Sequence, residues 1–165
     1  MDIFFKRKSD FLRRVTNCIL RHNNKILMLK KPRRGWYAMP GGKMEQGESI
    51  KDSVMREYRE ETGLILKEPE LKSAFTFIIQ EEQEVKQEWM MFTFSCEDFE
   101  GTLVEFCDEG ELEWVPISEV ADKPMAAGDR YIYNHILTSD ELLYGTFTYT
   151  PDYQLINSSL DPSSP

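Results

Sequence analysis

Residues 42–64 read GKMEQGESIKDSVMREYREETGL, and within them Ile50 to Thr62 is free of Gly and Pro and rich in helix formers. Gly63 follows, the residue expected just past a helix end, so a helix is predicted over Ile50–Thr62. With Glu57 at zero and about 100° per residue, Glu60 falls near −60° and Glu61 near +40°. Three carboxylates therefore share one arc. Ile50 and Val54 project within roughly 60° of Glu57, while Asp52, Met55 and Arg59 lie elsewhere. The acidic arc thus coincides with the apolar side and is expected to meet the protein body.

Like charges three and four residues apart destabilise a helix by about 0.2–0.5 kcal/mol per pair, and more when partly desolvated. Two arrangements offset that cost. One is a solvated acidic face neutralised by Arg56, Arg59 or Lys51. The other is a divalent cation, since converging glutamate oxygens are hard ligands suited to Mg²⁺ or Mn²⁺, which keep waters and bridge to substrate phosphates. Position on the apolar side favours the cation. Just upstream, Met39-Pro40-Gly41-Gly42-Lys43 sets a stiff Pro, two glycines and a cation before the helix, so that backbone oxygen and a Lys can face the same place. Alone, that turn is an ordinary loop; joined to the acidic helix it indicates a metal and phosphate site.

The spacing Gly42, five residues, Glu48, seven residues, then Arg56-Glu57-Tyr58-Arg59-Glu60-Glu61-Thr62-Gly63-Leu64 resembles the Nudix box, Gly-x5-Glu-x7-Arg-Glu-U-x-Glu-Glu-x-Gly-U with U bulky aliphatic. Every fixed polar or glycine position is filled, and Tyr58 at a U position is the one departure, altering packing and removing no ligand. The resemblance, to the MutT-like branch, implies an α+β chain with a mixed β-sheet sandwiched between helices (α/β/α) and the box as a loop–helix–loop. It implies that Glu57, Glu60, Glu61 and the carbonyl of Gly41 hold Mg²⁺, or Mn²⁺ in its place, and that Arg56 orients the glutamates. Glu48 matches the earlier box acid, which in the family often acts behind the ligands. The implied chemistry is positioning and electrostatics: a cation neutralises phosphate charge and orients a water for in-line attack on phosphorus. For the general base the resemblance offers Glu57 or Glu60, then Asp108 or Glu109, which precede Trp114 much as a loop acid does in MutT-like members.

Outward from the box, Val15–Leu20 and Lys25–Leu29 flank Arg21-His22-Asn23-Asn24 and read as a β-hairpin, since Asn tolerates positive φ. Lys30–Lys43, punctuated by Pro32, Gly35, Pro40, Gly41 and Gly42, reads as loop with a short extended piece at Trp36–Met39. Leu71–Gln80 and Glu88–Cys96 read as paired strands about the polar stretch Glu81–Gln87, with Met90, Phe92 and Phe94 on one side and Trp89, Met91 and Thr93 on the other. Leu112–Val115 gives a short strand and Asp129–Leu137 a helix. Gly145–Thr150 and Tyr153–Ile156 suggest a hairpin around Pro151-Asp152 that closes an edge of the sheet, with a dimer contact or a lid as its other readings. One domain is expected over residues 1–157, with a flexible tail at 158–165.

The chain has 165 residues, 41% of them hydrophobic, enough for one sizeable core. A formal charge of −9 disfavours a long nucleic-acid partner, while clustered carboxylates holding a cation still admit a small phosphate ester. Three cysteines without CxxC spacing suggest neither a disulfide framework nor a zinc site and fit a reducing cytoplasm. Met1–Asp10 carries no apolar run of membrane-spanning or signal length, and no membrane partner is expected. A homodimer stays open.

Substrate must be sought outside the box. Trp36 and Tyr37 offer faces for a purine or join the core; Lys30, Lys31, Arg33 and Arg34 can steer phosphates or stay solvated; Lys43 adjoins the box. Asp129 lies where MutT-like proteins carry a base-reading polar residue, and a helix N-cap would explain it equally. By the same resemblance Ile79 replaces a proline of ADP-ribose hydrolases, and Gln80, Glu81 and Glu82 stand where dinucleoside polyphosphate hydrolases carry a tyrosine. The resemblance then implies hydrolysis of a nucleoside triphosphate to monophosphate and pyrophosphate, with oxidised guanine nucleotides such as 8-oxo-dGTP in view. The alternatives are an RNA 5′-end pyrophosphohydrolase and a non-catalytic nucleotide-sensing module, the latter disfavoured by the intact glutamates.

Overall fold

The structure is a computed structural model and describes residues 12–163. Strands β1 (Arg13–His22) and β2 (Lys25–Lys30) form the expected hairpin, with Asn23 and Asn24 at φ of 50° and 60° in its turn. Both strands are buried on either face, which is why they read as continuous apolar runs instead of alternating ones. β3 (Tyr37–Ala38) occupies the short extended piece. Gly41–Lys43, read from its glycines as loop, is instead a strand, β4: it pairs antiparallel with β1, Asn17 opposite Gly41, where the lack of side chains permits close approach.

Helix α1 spans Ile50–Thr62 as predicted. The Ser49 hydroxyl accepts the Asp52 N–H at its start, and Gly63, at φ 81°, donates to the Arg59 carbonyl at its end. After it come β5 (Leu64–Lys67), β6 (Glu70–Glu81), β7 (Glu84–Cys96), β8 (Asp98–Gly101), β9 (Glu111–Pro116), α2 (Ile117–Val120), α3 (Ala127–Thr138), β10 (Leu143–Tyr149) and β11 (Leu155–Asp161). The β6–β7 turn is only Glu82-Gln83, both at positive φ, so most of the polar stretch expected to be loop extends the two strands into solvent.

Among the described residues nine strands form one mixed sheet, ordered β11-β10-β6-β7-β1-β2-β3 with β4 on β1 and β9 on β2. β1 runs parallel to β7 and β10 parallel to β6. One face carries Ile19, Met28, Phe75, Met91 and Phe147 against Ile132 and Tyr133 of α3. The other carries Cys18, Leu20, Leu27 and Phe94 against Val54 and Tyr58 of α1. The period-two alternation of the strands thus sorts the apolar residues into two cores, one under each helix. This is the mixed sheet between helices that the resemblance implied.

The late hairpin forms, and β10 covers the edge of β6. Its second strand runs further than its composition suggested. Ser158 to Asp161, expected within the tail 158–165, pair with Phe147 to Tyr144, because ladder hydrogen bonds form independently of side-chain hydrophobicity. Among the described residues no helix is long and apolar enough to cross a membrane.

Candidate active site

The box loop is organised around one cation. Arg56 Nε and Nη2 donate to the two carboxylate oxygens of Glu48 at 2.7 and 2.8 Å, while Nη1 reaches Glu57 Oε1 at 2.8 Å and Glu60 Oε2 at 3.2 Å. Nη2 also donates to the Lys43 carbonyl at 3.1 Å, tying the helix to β4. Glu48 is held well below the usual carboxylate range, at about 2, chiefly by Arg56 and then by the Glu45 N–H. Reciprocally, the surrounding carboxylates raise the Arg56 pKa. Glu48 therefore grips the arginine from behind, and the arginine's far edge fixes two of the three arc glutamates.

The arc splits. Glu57 is largely buried, its side chain against Gly42, where any Cβ would overlap its carboxylate. Glu61 is half-buried, whereas Glu60, also expected against the body, is exposed. Glu61 Oε2 accepts the Gly41 N–H at 3.3 Å, but Oε1 is buried with no hydrogen-bond partner. Burial pushes the Glu61 carboxyl up to about 7, against the pull of Lys31 and the Gly41 N–H. A carboxylate this costly to ionise, with one lone oxygen, is what a hard cation would stabilise, so the donor set fits Mg²⁺ or Mn²⁺. Among the described residues no three acidic side chains already converge as a metal cluster, because Arg56 holds Glu57 and Glu60.

Glu57, Glu60 and Glu61 line a depression of about 780 Å³ with Gly41, Gly42 and Lys43. The same depression is lined by the loop after β8, through Phe106, Cys107, Asp108 and Glu109, and by Lys31 just after β2. Gly110 packs against the Lys30 carbonyl and anchors that loop, and Lys31 Nζ lies 3.7 Å from Glu109 Oε2. The fold thus brings the box glutamates, Gly41, Lys43 and both loop acids to one place. Trp36 and Arg34 line a neighbouring cavity that shares Lys31, Asp108 and Glu109 with the first. Tyr37 is in the core instead.

Asp129 joins neither cavity. It is not an N-cap either: that position is Ala126, and Asp129 lies in the first turn of α3. The residue is only partly buried, yet its carboxyl group is enclosed beside Tyr133 and Tyr149, and burial pushes it up to about 7. Lys31, expected with Lys30, Arg33 and Arg34 to steer phosphates or stay solvated, lines both cavities. Tyr153 escaped sequence reasoning. It had no signal, since it reaches the Arg34 cavity from a hairpin turn more than a hundred residues along the chain.

The family model of the NUDIX domain matches residues 11–136. The chain is 50% identical over 152 residues to the Nudix hydrolase YvcI of Bacillus subtilis, covering 92% of this chain and 96% of that one. It is 31% identical over 105 residues to an ADP-ribose pyrophosphatase of Methanocaldococcus jannaschii, covering 62% and 60%. The crystal structure of a mutator MutT protein from Bacillus halodurans superposes with a TM-score of 0.91 at 53% identity, covering 93% of this chain and all of that one.

Proposed function

The chain belongs to the Nudix hydrolase family and is a hydrolase of phosphoanhydride bonds; from the geometry of its site we propose that it is a Mg²⁺-dependent pyrophosphohydrolase that converts a nucleoside triphosphate to the monophosphate and pyrophosphate. The observation that carries this reading is the partnerless, buried Oε1 of Glu61, a residue that with Glu57 and Glu60 lines a depression that two lysines also line. Oxidised guanine nucleotides such as 8-oxo-dGTP are the substrates we assign to it.

Glu57, Glu60, Glu61 and the Gly41 carbonyl would hold the cation, which when bound neutralises phosphate charge. Lys43 and Lys31, which line the same depression, would meet the phosphates. Arg56 is a positioning residue, keeping Glu57 and Glu60 on the helix face, and Glu48 positions Arg56 in turn. Asp108 and Glu109 line the same depression as the box glutamates, and either would take a proton from the attacking water while Glu57 and Glu60 are engaged. As the water oxygen bonds to one phosphorus of the α–β anhydride, the bridging P–O bond to the other breaks, releasing the monophosphate and pyrophosphate.

The test is product analysis over a panel of nucleoside triphosphates, 8-oxo-dGTP, ADP-ribose and 5′-triphosphorylated RNA, with Mg²⁺ and with excess chelator. Mg²⁺-dependent pyrophosphate release from free nucleotides supports the proposal. Cleavage confined to ADP-ribose or to RNA, or none at all, refutes it.

A further inference from the structure

Beside the acidic depression lies a second cavity of about 440 Å³, and the two share Lys31, Asp108 and Glu109. Its own wall is aromatic and cationic. The Arg34 guanidinium carbon sits 5.0 Å from the Trp36 ring centroid and 5.2 Å from that of Tyr153. The two rings are perpendicular, with centroids 6.3 Å apart. Arg34 also donates to the Asp152 carbonyl at 3.0 Å, so its head group is located by three contacts although the residue is exposed.

The backbone on both sides is unusual. Arg34 and Tyr153 have φ of 69° and 62°, a left-handed conformation that non-glycine residues adopt at an energetic cost. The Tyr153 turn is closed by its N–H to the Thr150 carbonyl at 2.9 Å and by the Gln154 N–H to Thr150 Oγ1 at 3.1 Å. This turn belongs to the β10–β11 hairpin, which lies beyond the residues matched by the family model. A hairpin outside that matched range therefore reaches back to complete a cavity next to the acidic depression.

Given the nucleotide hydrolysis proposed above, we propose that this cavity is the base subsite, that Tyr153 and Trp36 supply the ring faces for a purine, and that Arg34 selects a 6-oxopurine. The shared Lys31, Asp108 and Glu109 put the sugar between the two cavities. One of Arg34's five N–H donors meets Asp152, leaving the rest of the fork for a ligand. Guanine, 8-oxoguanine and hypoxanthine all present a carbonyl oxygen at position 6, an acceptor for those donors. Adenine presents an amino group there, donor against donor.

Calorimetric binding of guanosine, inosine and adenosine diphosphates, with pyrophosphate release from the matching triphosphates, tests this. The wild-type protein binds the guanosine and inosine nucleotides more tightly than the adenosine one. Tyr153→Ala weakens guanosine diphosphate binding and raises KM for the triphosphate by about tenfold, with kcat moved by less than about twofold; Tyr153→Phe restores both constants. Arg34→Gln removes the preference for guanosine over adenosine. Equal binding of the two bases by the wild type, or a Kd unmoved by Tyr153→Ala, overturns the assignment. Hydrolysis with a Tyr153-independent Kd sinks the subsite alone, whereas Tyr153-dependent guanosine binding without pyrophosphate release sinks the hydrolase reading and leaves the subsite standing.

Discussion

Replacing Tyr58 by Phe should stabilise this protein. Tyr58 is the one departure from the box pattern, it is 0% exposed, and its hydroxyl oxygen has no hydrogen-bond partner. A buried hydroxyl left unsatisfied costs about 1–3 kcal/mol. Burial also raises the phenol pKa well above its ordinary value, so the group cannot relieve the cost by ionising. Phe keeps the ring against Val54, Leu20 and Phe94 and gives up only the contacts of one oxygen, roughly 0.5 kcal/mol. The net expectation is a gain of about 1 kcal/mol, or roughly 2–4 °C in Tm for a chain of this length. Guanidinium denaturation reads it as a raised midpoint at unchanged slope, and kcat should hold because the oxygen makes no hydrogen bond to any glutamate of the site. Tyr58→Ala, which empties the ring's place, should cost about 3–5 kcal/mol. If Tyr58→Phe is instead less stable by 1 kcal/mol or more, the hydroxyl has a partner and the account of this core fails.

Glu57→Gln and Glu60→Gln keep shape and remove charge; each should lower kcat by about a hundredfold or more with the circular dichroism spectrum unchanged, and near-normal rates would remove both from the machinery. Gly42→Ala sets a methyl into the Glu57 carboxylate, so kcat at saturating Mg²⁺ should drop by roughly tenfold to a hundredfold; a normal rate would show that Glu57 need not lie where it does. Asp129 has a folded-state pKa raised to about 7, against about 3.9 unfolded, so its contribution to stability is complete below pH 4 and is lost as the pH rises through 7. Asp129→Asn should therefore flatten the stability profile by about 2 kcal/mol between pH 5 and pH 8 in urea denaturation, and parallel profiles for the two proteins would refute the enclosed carboxyl.

Legibility followed the range of the interactions concerned. Helix α1 was readable to the residue because its stop, its lack of Gly and Pro and its acidic arc are all local. The β1–β2 hairpin was readable for the same reason, its turn requiring only two asparagines at positive φ. Gly41–Lys43 misled because glycine composition speaks of loops, whereas here bareness lets two backbones meet. Ser158–Asp161 misled because a polar edge strand is held by main-chain bonds that leave no trace in side-chain chemistry. The exposure of Glu60 depends on what packs beside α1, which a helical wheel cannot include.

The sequence by itself determined the acidic arc of α1 and the strands around it, since spacing of glutamates along one helix and alternation along strands are properties of the local backbone repeat; the phosphoanhydride chemistry and the layered architecture were implied by the match of residues 42–64 to the Nudix box. Only the tertiary structure decided what stands around that arc: which glutamate keeps a lone oxygen, that Asp108 and Glu109 line one depression with it, that Asp129 lines neither cavity, and that Tyr153 meets Arg34 and Trp36. Those juxtapositions are set by how strands distant in sequence pair and cross, and no short-range pattern encodes them.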